Sequence, residues 1–236
     1  MTDGSLIARA RQVWTELAGV PVAFPAAGIA VVTSEASLLC PPGWAGIVVL
    51  GNAGIATVPA DGAGAALADL PAAVATDAGQ VRARLAVADT LGPATLAYLD
   101  RRDFLPIQRS AAVQEELPAG HGDVVALMAS VSAEDAGECG LDEITSPAFV
   151  VREGSEVVAA SGYRRWPASA AQLSVLTGDR CRGRGLAGLV ASAAVADALD
   201  KGLLPQWRAR PPASRRVARR LGFRELGTQL SLRLPA

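Results

Sequence analysis

The sequence contains very few of the residues that build disulfide scaffolds or metal sites. Its 236 residues include three cysteines, one histidine (His121) and one lysine (Lys201). The cysteines (Cys40, Cys139 and Cys181) are odd in number and far apart, which fits a reducing cytoplasm better than a disulfide framework. With one histidine and no paired cysteines, we expect no metal site. His121 stands between glycines in a polar stretch, and we expect a solvated loop residue there in preference to a catalytic one.

Excess charge of either sign is absent as well. The formal net charge is −1, charged residues make up 19% and hydrophobic residues 50%. Because such a chain has no positive field for a phosphate backbone, we expect no nucleic-acid partner. The first residues lack the basic and apolar regions of a signal peptide. The uncharged stretch 37–60 contains prolines and glycines that exclude a membrane-spanning helix. We therefore expect a cytoplasmic protein with no membrane partner.

Short apolar segments alternate with helical patterns along the chain, which predicts an α/β protein. In the first half we predict helices over 5–17 and 77–90 and strands at 29–32, 47–50, 55–57 and 95–99. In the second half we predict helices over 122–131, 132–139, 188–201 and 212–221 and strands at 149–151, 157–160, 173–177, 204–208 and 226–234. A polar, turn-forming composition around 115–122 predicts two domains, 1–112 and 113–236.

The most informative segment is RGRGLA at 182–187, which follows the predicted strand at 173–177 and opens a long helix of small residues. Gly183 and Gly185 allow a tight turn with outward-facing amides. The helix that follows adds unpaired N–H groups and the positive end of its dipole. Strand, turn and helix start together form an anion site suited to a pyrophosphate. Taken alone, the motif is also compatible with a tight structural turn in another α/β domain.

Residues 173–223 resemble the coenzyme A–binding core of the Gcn5-related N-acetyltransferases (GNATs). Their signature, Gln/Arg-x-x-Gly-x-Gly/Ala at a strand-to-helix turn, is satisfied by RGRGLA with Ala187 last. The run Leu221-Gly222-Phe223 is similar to the end of the family's last helix. The resemblance extends over about residues 120–236 and implies a mixed central sheet flanked by helices. For residues 1–112 we expect a smaller α/β domain, and a decayed tandem copy is an open alternative.

The resemblance also implies a coenzyme site, with acetyl-CoA as co-substrate. Backbone groups of Val175, Leu176 and Thr177 would pair with the pantetheine arm. Ser214 would either bind the coenzyme or simply begin its helix. The pyrophosphate would be held by the main-chain N–H groups of the motif, with added charge from its arginines: Arg182, Gly183, Arg184, Gly185, Leu186 and Ala187.

Two positions depart from the family's usual pattern. The usual asparagine is replaced by Pro211, and the usual tyrosine, a general acid, is replaced by Ala218. For the general base we favour Glu138 and Glu143 over the other residues near the predicted acceptor side, Asp142 and Gln172.

These features predict an acetyl-CoA–dependent N-acyltransferase that acts on a primary amine of a small molecule. A non-catalytic acyl-CoA sensor is the alternative that the missing tyrosine favours. A DNA-associated regulator using the arginine-rich helix at 212–221 is a second rival, although a solvated helix face is the preferred explanation of those arginines. Trp207 is expected to pack beneath that helix or to line the acyl channel. The sequence leaves open whether the protein is a homodimer.

Overall fold

The computed structural model describes residues 3–60, 64–107 and 114–235. Those residues confirm the predicted α/β class. Their α-helices are α1 (Asp3–Leu17), α2 (Gly64–Ala68), α3 (Ala78–Arg82), α4 (Gly122–Ala129), α5 (Ala133–Cys139), α6 (Leu186–Asp200) and α7 (Pro212–Arg220). Their strands are β1 (Gly28–Thr33), β2 (Ala45–Leu50), β3 (Ala53–Val58), β4 (Asp89–Tyr98), β5 (Gln114–Leu117), β6 (Ala148–Glu153), β7 (Glu156–Trp166), β8 (Ala170–Thr177), β9 (Leu204–Ala209) and β10 (Arg224–Arg233).

The chain divides into two compact units, each assembled from separate segments. The first unit contains Met1–Tyr98, Arg208–Pro212 and Glu225–Ala236, and the second contains Leu99–Trp207 and Ala213–Arg224. The predicted boundary between residues 112 and 113 lies outside the described residues. The assignment of domains 1–112 and 113–236 therefore stays a prediction.

In the first unit the strands lie in the order β1-β3-β2-β10-β4. The uncharged stretch 37–60 supplies β2 and β3, which pair antiparallel as the sequence predicts and are buried along their whole length. The Nε1–H of Trp14 donates a hydrogen bond of 2.6 Å to the hydroxyl oxygen of Tyr98, and both side chains are fully buried. This pairing satisfies two polar groups that the core would otherwise leave without partners.

The predicted helix over 77–90 is correct at its start and wrong beyond Arg82. Helix α3 ends at Arg82, and β4 begins at Asp89. The apolar residues of this segment, Val81, Leu85 and Val87, all pack against the core of the first unit. Because residues two apart point in different directions on a helix, Leu85 and Val87 reach one core only if the helix has already ended.

Strand β5 was not predicted, because its segment appears polar in the sequence. It pairs antiparallel with β6 at the edge of the second unit's sheet. Leu117 is buried, while Glu115 forms a 2.6 Å ion pair with Arg152 on β6. A short edge strand that buries so little carries almost no alternating hydrophobic signal.

The second unit's strands lie in the order β9-β8-β7-β6-β5. Neighbouring residues of each strand face opposite sides of the sheet. Val151, Ala159 and Val175 pack against α6, whereas the adjacent residues face α4 and α5: Val150, Ala160 and Leu176. Helices thus cover both faces of β6, β7 and β8. In the described part of the chain, no helix is both long and apolar enough to span a membrane.

Candidate functional site

Strands β8 and β9 separate early, and this separation creates the site. They pair in parallel only where Ala170, Ala171 and Gln172 lie beside residues 204–206. Beyond Gln172, β8 continues to Thr177 with β7 along one edge, and the described residues show no further pairing with β9. The free edge covers residues 173–177, which include the predicted Val175, Leu176 and Thr177. Unpaired strand N–H and C=O groups are suited to an extended ligand that contains amides.

The free edge leads directly into the predicted anion turn. A short 3-10 turn, Asp179–Cys181, is followed by Gly183 with φ of 76° and Gly185 with φ of 80°. Gly185 is the residue that caps α6 and brings no side-chain hydrogen bond to its first turn. A Cβ atom built on Gly183 would meet no atom within 4 Å, so this side of the turn faces open space. Leu186 and Ala187 form the first turn of α6.

This turn has the backbone conformation that the predicted anion site requires. Both glycines have left-handed backbone, the conformation that lets neighbouring amides point outward. The first turn of the 15-residue helix α6 adds its unpaired N–H groups. Side chains other than glycine adopt this conformation only at a cost, which explains the glycines at positions 183 and 185.

The motif's two arginines are paired with carboxylates of the same unit. Arg182 Nη2 lies 3.0 Å from Asp135 Oδ2 and 2.7 Å from Asp179 Oδ1. Arg184 forms an ion pair with Glu153 on β6. The hydrogen bond from Arg182 lowers the pKa of Asp135, and the hydrogen bond from Arg184 lowers the pKa of Glu153. The arginines therefore fasten the turn to α5 and β6, and their charge is already partly balanced.

Arg180 supplies a cation that the sequence analysis missed. It is exposed within the 3-10 turn and forms no ion pair with any residue that the structure describes. It belongs to the loop between β8 and α6, which the glycine motif already marks as an anion site. Its position two residues before the motif could have identified Arg180 from the sequence, although it lies outside the family signature itself.

Ser214 and Trp207 are joined in the second unit. The Nε1–H of Trp207 donates a 2.9 Å hydrogen bond to Ser214 Oγ, and the indole meets the ring of Phe223 edge-on at 5.5 Å. The predicted packing of Trp207 is thus confirmed, with an exposed fraction of 3%. Ser214 Oγ keeps its own O–H as a donor.

The Leu-Gly-Phe run has a steric explanation. Leu221 and Phe223 are buried. A Cβ atom on Gly222 would lie 1.9 Å from the carbonyl oxygen of Asp103, and the backbone has φ of 94° there. Only glycine allows this approach, and it closes the turn after α7.

The candidate bases lie on the side of β8 that faces α5. Glu143 ends a short 3-10 turn, and its Oε2 lies 2.6 Å from Arg164 Nη1 on β7. Glu138 is exposed near the end of α5. The end of α5 meets β8 where Ser174 Oγ donates a 3.0 Å hydrogen bond to the carbonyl of Gly140. Glu143 therefore lies on this face through Arg164, and Glu138 is on the helix whose end meets β8.

Two other residues of the sequence analysis also have defined positions. His121 caps α4, because its Nδ1 accepts a 3.2 Å hydrogen bond from the N–H of Asp123. Ala218 is buried in α7, so the family's tyrosine position holds a packed methyl group. Among the described residues there is no cluster of metal-binding side chains.

The sequence model of the GNAT acetyltransferase family matches residues 147–228, from β6 into β10. This match supports the predicted GNAT superfamily for the C-terminal half of the chain. No curated protein matches the chain significantly.

Solved structures resemble the chain at low identity. A protein assigned to the GNAT family from Novosphingobium aromaticivorans shares 20% identity, with 62% of this chain and 65% of that one covered and a TM-score of 0.46. A GNAT-family acetyltransferase from Colwellia psychrerythraea shares 13% identity, with 64% of this chain and 59% of that one covered and a TM-score of 0.47. A Gcn5-related N-acetyltransferase from Kribbella flavida shares 17% identity, with 67% of this chain and 64% of that one covered and a TM-score of 0.47. The chain thus spans less than two thirds of the length of each of these structures.

Proposed function

We propose that this chain transfers an acetyl group from acetyl-CoA to a primary amine of a small molecule. The observation that carries the proposal is the continuous path from the free edge of β8 into the glycine turn at the start of α6. A strand edge that binds amides, followed by a turn that binds a diphosphate, matches the order of pantetheine and pyrophosphate in coenzyme A. The path lies within the segment that matches the GNAT family.

In this proposal the main chain holds the coenzyme. The free edge of residues 173–177 pairs with the pantetheine amides, and the N–H groups of residues 182–187 bind the pyrophosphate. Arg180 adds a positive charge that no carboxylate of the described chain balances. Ser214 donates its hydroxyl hydrogen to the coenzyme while it still accepts the hydrogen bond from Trp207.

The reaction is a direct attack of the amine nitrogen on the thioester carbonyl. A C–N bond forms, the C–S bond breaks, and a main-chain N–H of β8 stabilises the developing oxyanion. The ammonium first loses a proton to Glu138 or Glu143. Glu143 would accept the proton on Oε1, because its Oε2 contacts Arg164. The thiolate leaves without a tyrosine acid, since Ala218 offers none and a thiolate is stable enough to leave near neutral pH.

The test measures release of free coenzyme A from acetyl-CoA in the presence of a panel of primary amines. Transfer to at least one amine supports the proposal, and Glu138→Gln and Glu143→Gln identify which carboxylate takes the proton. The base variant should lose about two orders of magnitude in turnover and keep its affinity for acetyl-CoA. Failure to bind acetyl-CoA at millimolar concentration would refute the proposal.

A non-catalytic acyl-CoA sensor is the second candidate, and the buried Ala218 is the observation that favours it. A sensor would bind acetyl-CoA tightly and release no thiol with any amine of the panel. The same two measurements therefore separate an enzyme, a sensor and a protein that does not bind the coenzyme.

A further inference from the structure

The side chain of Gln206 is an unusual polar group at the point where β8 and β9 separate. It is fully buried in β9. Its Oε1 has no hydrogen-bond partner among the residues that the structure describes. Buried polar atoms almost always have partners, so one that lacks them indicates a place where another molecule supplies a donor.

The amide orientation of Gln206 is fixed by its neighbours. Gln172 Nε2 donates a 3.2 Å hydrogen bond to the carbonyl oxygen of Leu173, which leaves Gln172 Oε1 as an acceptor. Gln206 Nε2 donates a 2.9 Å hydrogen bond to that oxygen. Reversing the amide of Gln206 would bring two oxygens into contact. The free atom is therefore the acceptor, Oε1, and it requires a donor.

The position of Gln206 relates it to the proposed chemistry. Gln172 and Gln206 are the last paired residues before the strands separate. Gln172 lies on the same face of β8 as Ser174, which contacts Gly140 at the end of α5. Arg164, the partner of Glu143, is directly opposite Gln172 on β7. Gln206 thus lies at the inner end of the free edge, on the face of the sheet that carries Arg164, the partner of Glu143.

We propose that Gln206 Oε1 binds an N–H of the acceptor amine and so selects amines over alcohols. The inference rests on the proposed function and adds a residue that recognises the acceptor. A primary ammonium has three N–H groups. It gives one proton to the base, and the remaining two stay available while the lone pair attacks. An alcohol that gives its only hydroxyl proton to the base has no donor left for Gln206. A secondary amine keeps one N–H, so it can still satisfy Gln206.

The thioester does not compete for this contact, because its carbonyl oxygen and sulfur carry no hydrogen. Gln206 Oε1 can therefore improve binding of the acceptor without changing the affinity for acetyl-CoA. Gln172 acts as a positioning residue, since it holds the amide of Gln206 in the required orientation.

The experiment uses the full chain and a panel of benzylamine, tyramine, histamine, spermidine and lysine. The amine that is acetylated fastest is then compared in the wild type, Gln206→Met and Gln206→Glu. We expect Gln206→Met to raise the KM for the amine about tenfold and to leave the Kd for acetyl-CoA within twofold. At this buried position, beside Gln172 Oε1, Gln206→Glu would be held as the protonated acid, which donates its O–H to that oxygen. Its C=O stays available as an acceptor, so the KM should stay within about threefold. Melting temperatures verify that each variant folds.

A second readout needs no variant. In ¹⁵N-labelled wild type saturated with coenzyme A, the side-chain amide signals of Gln206 should shift when the amine is added. They should stay in place when the matched methyl ether, which carries no donor hydrogen, is added.

Three outcomes overturn the inference. If the amine leaves these signals unmoved, or if Gln206→Met folds and keeps the wild-type KM, Gln206 does not bind the acceptor and the proposed function stands. If coenzyme A alone shifts the signals as far as the amine does, the oxygen faces the coenzyme instead. If acetyl-CoA does not bind, or no amine is acetylated, the proposed function and this inference both fail.

Discussion

Arg182 and Asp135 form an ion pair that joins the glycine turn at residues 182–185 to the first turn of α5. The distance from Nη2 to Oδ2 is 3.0 Å, and about half of each side chain is exposed. Asp135 also accepts a 2.8 Å hydrogen bond from Oγ of Ser132, and Ser132 is the residue that caps α5. A phosphate that approaches the turn must therefore compete with Asp135 for the guanidinium.

Removing that competition should strengthen coenzyme binding. Asp135→Asn frees the charge of Arg182, and we expect the Kd for acetyl-CoA to fall about threefold, within the range of exposed ion pairs. Arg182→Ala should raise the Kd about tenfold, because it removes the charge altogether. Isothermal calorimetry at low and high salt measures both, and both effects should shrink at high salt. Weaker binding by Asp135→Asn would mean that the pair only shapes the turn.

The same pair predicts a specific dependence on pH. The hydrogen bonds from Arg182 and Ser132 lower the pKa of Asp135 below its ordinary value of 3.8. Because the folded pKa is lowered, the stabilisation is present above 3.8 and is lost only as the pH falls through the folded value. We expect the Asp135 carboxyl carbon to titrate below 3.8 by NMR, and closer to 3.8 in Arg182→Ala. A midpoint above 3.8 in the wild type would contradict the ion pair in solution.

Ser214 is expected to affect both stability and binding. Ser214→Ala leaves the buried Nε1–H of Trp207 without its acceptor, which should lower the free energy of unfolding by about 1 to 3 kcal/mol. It also removes the hydroxyl proposed to reach the coenzyme, so the Kd for acetyl-CoA should rise about threefold. Urea unfolding and calorimetry measure the two effects separately. If Ser214→Ala lowers the stability but leaves the Kd for acetyl-CoA unchanged, Ser214 has only a structural role.

Arg180 should contribute to coenzyme binding through charge. Arg180→Ala removes an exposed cation from the 3-10 turn beside the glycines, and we expect the Kd for acetyl-CoA to rise about fivefold, less at high salt. The matched control is Arg84→Ala, which removes an exposed arginine from the first unit, where it contacts Gln80. Equal effects of the two substitutions would show that only net charge matters.

Much of the second unit could be predicted from the sequence because its signals are local. The apolar run at 173–177, the glycines at 183 and 185, and Gly202 each specify backbone geometry within a few residues, and the structure has β8, the turn and α6 there. The helix predicted over 77–90 is too long, because the apolar residues of this segment pack into a core built from distant segments of the chain. The polar strand β5 was missed for the same reason, since its pairing with β6 depends on contacts more than thirty residues apart.

The candidate site was less predictable than the fold. The sequence marks Arg182 and Arg184 as cations, but it contains no sign that Asp135 and Glu153 pair with them, because those acids lie on other elements. The orphaned oxygen of Gln206 likewise depends on Gln172, 34 residues away. Such relationships arise only when strands and helices meet in the folded chain.

The most direct test of the account compares Gly183→Ala with Gly202→Ala. Both glycines are left-handed, with φ of 76° and 72°, and a Cβ atom on either meets nothing within 4 Å. The two substitutions should therefore cost similar stability, about 1 to 2 kcal/mol. Only Gly183 lies in the proposed diphosphate site.

Calorimetry with acetyl-CoA is the deciding measurement. We predict that Gly183→Ala weakens binding at least about tenfold, or about 1.4 kcal/mol, while Gly202→Ala binds as the wild type does. Equal affinity of the two variants, or wild-type protein that takes up no acetyl-CoA, would contradict the claim that this turn holds the diphosphate of the coenzyme.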